Sequence, residues 1–147
     1  MLHRALRSVL SPVPVGNRDA RDEESKIQYC QQPADTARLV LAGDAVYNGI
    51  HPFLNESNRQ TRPQWLAALD KIGALKPSAV VAGHKIPTND DSPRNVEETR
   101  QYIRDFIRLN DATKTARELY VRMLELYPDR ANPGSLWSSA AAAKAES

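Results

Sequence analysis

Apolar positions along this chain fall into two kinds of pattern. Two short runs are unbroken, Leu39 to Ala42 and Ala79 to Ala82. They predict strands over 37–42 and 78–82, the first apolar enough to be covered on both faces. Longer stretches follow helical spacing. Trp65, Leu66, Leu69 and Ile72 share one face of a helix predicted to start with Thr61 as N-cap, Pro63 in its first turn and Gln64 as capping partner, and to end near Leu75 before Pro77. After Ser92 and Pro93 a second stripe runs through Val96, Thr99, Ile103, Phe106 and Ile107. Asn110 and Asp111 interrupt or recap it. The period resumes with Ala112, Ala116, Leu119, Tyr120, Met123, Leu124 and Tyr127, and Pro128 closes it.

Between these elements the composition changes to turn formers. Tyr47 to Asn58 mixes Asn, Gly, His, Pro and Ser with a few apolar residues and predicts a structured loop; Gly83 to Asp91 predicts a second, polar one. The resulting order is strand, loop, helix, strand, loop, long helix, an α/β alternation. The first 35 or so residues lack any sustained period and predict a poorly structured segment over 1–35, in which only Lys26 to Cys30 has the makings of a short strand. The ordered domain is expected over 36–138, with Leu136 and Trp137 docking its end and a short, Ala-rich tail frayed over 139–147.

A chain of 147 residues with 41% hydrophobic content suits one modest core rather than two domains. The net charge of +2 is small and the basic residues are interspersed with acidic ones, so a dedicated nucleic-acid surface is not expected. The single cysteine, Cys30, excludes an internal disulfide and any cysteine-rich zinc motif and suits a reducing compartment, with a cytoplasmic location as the default expectation. No apolar run reaches the roughly 18 residues a membrane span requires. The first ten residues mix basic and apolar side chains without acids, a composition shared with mitochondrial presequences and with plain frayed termini.

The candidate chemistry lies where the two strands meet their loops. Each apolar run ends in Ala-Gly followed by a potential metal ligand, Asp44 after Gly43 and His84 after Gly83. A strand that stops at glycine presents the next side chain at the rim of the sheet, and ligands of α/β sheets gather beyond the carboxyl ends of strands. A carboxylate and an imidazole converging there suit zinc or iron. Read singly, Asp44 is equally a turn or cap residue, and His84 a histidine hydrogen-bonded within a loop. Tyr47, Asn48 and His51 follow Asp44 closely and are expected to line a substrate pocket, although Asn48-Gly49 also reads as a turn and His51-Pro52 as loop. Lys85 reads as a solvated lysine or as a contact for a substrate carboxylate.

Taken together, the string from Ala42 through Asp44 and His51 to Phe53, the helix carrying Trp65 to Leu69, the strand from Val80 to His84 and Lys85, and the segment Glu98 to Ile103 resemble the C-terminal half of metallo-β-lactamase-fold hydrolases. The resemblance spans about residues 35–137. It implies a partial sandwich of that type, few strands with flanking helices and a long C-terminal helical segment. It also implies metal-binding roles for Asp44 and His84, with zinc or iron activating water against an ester, thioester, lactone or amide of a small-molecule substrate. That family's H-x-H-x-D-H motif lies upstream of the matching aspartate, and this sequence has neither it nor the further histidine ligand; its only histidines are His3, His51 and His84. The expectation is therefore a truncated hydrolase domain with an incomplete metal site. Its uncovered sheet would be open to self-association. The competing expectation is a non-enzymatic interaction module that uses the helices from Ser92 to Tyr127 as a partner surface.

Overall fold

The computed structural model of the protein describes residues 38–145. The poorly structured segment, the short strand and the presequence-like start expected within 1–35 lie outside the described residues. Strand β1 spans Leu39–Asn48, helix α1 Thr61–Ala74, strand β2 Ala79–Lys85, helix α2 Arg94–Ala112, helix α3 Ala116–Leu126 and helix α4 Pro133–Ala145. The α/β alternation is as expected. Among the described residues the sheet has two strands, β1 and β2, paired in parallel and joined through α1.

Both strands outrun their expected ends. The apolar runs stop at Gly43 and Gly83, but pairing continues to Asn48 and Lys85. Among the described residues the first half of β1 is also covered on one face only. Val40 and Ala42 are buried while Leu39 and Leu41 are exposed, and on β2 Val80 and Ala82 are buried while Ala79 and Val81 are half-exposed. The buried face packs on α1 and α2. There Trp65, Leu69 and Ile72 of α1 meet Val96, Ile103 and Phe106 of α2 in one apolar cluster, as the helical spacing predicted.

Helix α1 starts earlier in its capping than Thr61 as N-cap would allow. Asn58 Oδ1 accepts the N–H groups of Gln60 and Thr61, both at 2.9 Å, and Thr61 Oγ1 accepts the Asn58 N–H in return at 2.8 Å. Thr61 is thus the reciprocal partner in a capping box opened by Asn58, and Gln64 has no part in it. The α2–α3 break likewise falls later than Asn110-Asp111. Thr113 is extended, and Thr115 caps α3 in a box with Glu118. Lys144 at the end of α4 donates to the carbonyls of Asn110 and Thr113, placing a cation on the unsatisfied C-terminal carbonyls of α2.

The expected frayed tail is helical as far as Ala145. Pro133 occupies the first turn of α4, where its missing N–H costs nothing. Leu136, Ser139, Ala140 and Ala143 are buried, with α4 packed chiefly on α3. Small side chains let the helix approach closely, and the Ser139 hydroxyl accepts the Leu54 N–H at 2.9 Å, tying α4 to the loop after β1. Alanine-rich composition here reflects a tight interface rather than loose chain.

Candidate metal centre

The two glycines explain how the strands bring Asp44 and His84 together. At Gly83 a Cβ would fall 2.6 Å from the carbonyl carbon and 2.7 Å from the oxygen of Gly43, so only glycine permits this strand-to-strand approach. Gly43 itself has φ of +49°, a left-handed conformation that redirects β1 just before Asp44. The ladder then slips. Asp44, Ala45 and Val46 face Gly83 alone, and pairing resumes with Tyr47 opposite His84 and Asn48 opposite Lys85. The candidate ligands therefore stand inside a bulged stretch of sheet and not beyond the strand ends, because the close glycine contact lets β1 bulge and rejoin its partner.

Out of this bulge, Asp44 Oδ1 and His84 Nε2 converge to 3.1 Å, with both side chains more than half exposed, at 63% and 55%. Beneath them Tyr47 stacks on the His84 imidazole, centroids 5.2 Å apart and planes inclined by 16°. The Tyr47 ring is buried and leans on Trp65 at 6.2 Å, and the Trp65 indole N–H donates to the Ala45 carbonyl at 2.8 Å. Burial pushes the Tyr47 hydroxyl up to about 12, with the charges of Asp44 and Glu56 acting in the same direction and a hydrogen bond from the Phe53 backbone opposing. It is a neutral phenol at ordinary pH.

The pair fits two corners of a metal site. Ligands about 2.0–2.1 Å from a tetrahedral zinc stand about 3.3 Å apart, close to the observed nitrogen–oxygen separation. Among the described residues no third His, Cys, Asp or Glu joins them. The same separation is that of an ordinary histidine–aspartate hydrogen bond.

The other expected site residues are placed differently. Tyr47 is at the pair but buried under it. Asn48 lies in the interior, donating to the Asp90 carbonyl at 2.7 Å and accepting from Asn89 Nδ2 at 2.8 Å, so it ties β1 to the loop after β2. His51 is fully buried, 2.9 Å through Nδ1 from the Tyr102 hydroxyl and edge-on to its ring. Both are turned inward: Asn48 toward the loop after β2, and His51 with the loop after β1, which folds in against Tyr102 of α2, Ala131 just before α4 and Ser139 within it. Lys85 is paired with Asp91 at 2.7 Å. A surface groove at the α2–α3 break, lined by Lys114, Arg117, Glu118 and Val121 among others, shares no residue with the pair.

A second polar cluster was not foreseen. Arg130 lies over the rings of Tyr102 and Tyr127 at 5.1 and 5.3 Å and donates to the Ile50 carbonyl at 2.9 Å. The Tyr127 hydroxyl donates to Asp105 at 2.7 Å. Burial of the imidazole, and next the Arg130 charge, lower His51 to about 4, which keeps it neutral. Burial raises the Asp105 carboxyl, but hydrogen bonds from Arg108, Gln101 and Tyr127 outweigh this and hold it below its ordinary value. The residues come from separate segments, and no local spacing in the sequence links them.

No family model, curated protein or solved structure matches this chain.

Proposed function

We propose that this chain contributes Asp44 and His84 as two ligands of a zinc or iron centre in a metal-dependent hydrolase of metallo-β-lactamase type. The observation that carries the reading is the convergence of Asp44 Oδ1 and His84 Nε2 at 3.1 Å, on an exposed rim, from two strands that each pass through Ala-Gly. A bound metal would supply Lewis-acid activation of water for hydrolysis of an ester, thioester, lactone or amide. What the chain itself does is narrower. The Gly43–Gly83 contact sets the distance between the ligands, and both donors stay open to solvent and to the remaining ligands. Those come from residues outside 38–145 or from a second chain, since the described part holds no third one.

Zinc titration of the full chain, followed through the imidazole resonances of His84, tests the reading. Saturable zinc should shift those resonances, and both Asp44→Ala and His84→Ala should remove the zinc dependence while leaving the fold intact, since both side chains are exposed. Saturating zinc that leaves His84 unmoved, or stoichiometric binding that survives both substitutions, overturns it.

A further inference from the structure

We propose that Tyr47 is a positioning residue for His84, its ring a fixed platform that holds the imidazole plane so that Nε2 faces Asp44. The inference rests on the reading of His84 as a ligand and assigns Tyr47 a role other than substrate contact.

An imidazole exposed on a sheet rim is ordinarily free to rotate about both side-chain torsions, and ordering it costs entropy each time a metal binds. His84 is not in that situation. Parallel pairing sets Tyr47 directly opposite His84, and the rings lie nearly flat on each other at 5.2 Å and 16°. A flat contact leaves the imidazole two orientations related by a flip and excludes those in between. Only one of the two puts Nε2 toward Asp44 Oδ1.

The platform has value only if it is itself immobile, and four contacts make it so. The Tyr47 N–H donates to Thr99 Oγ1 of α2 at 3.1 Å. Its ring is buried against Trp65 of α1, whose indole is tied to the Ala45 carbonyl within the bulge. The Tyr47 carbonyl accepts from the same Thr99 hydroxyl at 3.1 Å. Both helices that cover the sheet thus reach the candidate ligand through one residue. The bulge is what makes this possible, since without the slip after Gly43 a different residue would stand opposite His84.

Two variants of the full chain test it, Tyr47→Phe and Tyr47→Leu. In the metal-free protein the stacked ring should displace the His84 carbon-bound proton resonances by its ring current. Tyr47→Phe should keep that displacement and the zinc affinity near those of the parent. Tyr47→Leu should abolish the displacement and weaken zinc binding roughly tenfold, the scale on which outer residues orient metal-ligating histidines. Trp65 fluorescence and the methyl spectrum establish that each variant is folded.

His84 resonances without ring-current displacement in the parent protein overturn the proposal. So does a folded Tyr47→Leu with parental zinc affinity, or a folded Tyr47→Phe that loses the displacement. Because the displacement is read without metal, it separates the two readings. A displaced His84 in a protein that binds no zinc supports the platform and defeats the hydrolase reading.

Discussion

A histidine sealed in an interior beside an arginine puts a pH limit on the fold. His51 is fully buried, its Nε2 has no hydrogen-bond partner among the described residues, and Arg130 adds positive charge nearby. Its value near 4 in the folded chain compares with 6.5 for the free side chain. The unfolded chain therefore binds the proton first as pH falls. The stability that rests on neutral His51 is complete above about pH 6.5 and drains away as pH drops toward 4, with a slope of at most about 1.4 kcal/mol per pH unit. Replacing the side chain by His51→Gln should lower stability at neutral pH, through the altered contact with Tyr102, yet flatten this slope. The lowered carboxyls of Asp105 and Glu118 lose protective charge only below their ordinary values of 3.8 and 4.5, largely beneath the His51 window. Urea unfolding of both proteins between pH 7 and 4.5 isolates the effect as the difference of their slopes. Parallel curves would mean that His51 takes up its proton in the folded state as readily as in the unfolded one.

At the scale of the strand pair, the two glycines have unequal jobs. Gly83 is held by space, because backbone atoms of Gly43 stand where its Cβ would be. Gly43 is held by conformation, its φ of +49° being costly for an L-residue while nothing lies within 4 Å of the site of its Cβ. Gly43→Ala should cost about 1–2 kcal/mol, the strain of a left-handed residue. Gly83→Ala should cost more, because backbone rather than a flexible side chain must move, and it should spread Asp44 from His84 and weaken zinc binding. Chemical denaturation and zinc titration of the pair decide the point. A Gly83→Ala protein as stable and as zinc-competent as Gly43→Ala would contradict the close approach.

The same stretch marks what the sequence made legible. That strands exist at 39–42 and 79–82, and that Asp44 and His84 leave them side by side, follows from apolar runs ending in Ala-Gly. Where the strands end does not, since glycine reads as punctuation and here serves a bulge that the chain passes through. The stacking of Tyr47 on His84 depends on a two-residue slip, the three residues Asp44 to Val46 standing against Gly83 alone, which no periodicity encodes. His51 reads as loop from its proline neighbour, and its burial comes from Tyr102 and Arg130, distant in sequence. Asn58 was masked as a cap by Thr61, a stronger-looking signal that proves to be its partner.

Over the whole molecule, helices cover one face of the sheet and the other is bare among the described residues. Parallel strands are ordinarily sheltered on both faces, so a two-stranded parallel sheet showing Leu39 at 38% and Leu41 at 37% exposure is an open side of the core. The two faces should then answer oppositely to substitution. Val80 is fully buried among Val40, Trp65 and Phe106 of the apolar cluster, and Val80→Ala should cost about 2 kcal/mol from lost burial and the cavity left behind. Leu41→Thr removes apolar surface that water already reaches and introduces a good strand former. Its effect should stay within about 0.5 kcal/mol. Urea unfolding at two protein concentrations gives both values and makes any dependence on association visible, since a partner bound only to the folded chain adds stability that grows with concentration. A Leu41→Thr penalty equal to that of Val80→Ala would mean that the outer face is covered in solution. If that penalty fades on dilution, a second copy covers it; if it does not, residues of the same chain outside 38–145 do.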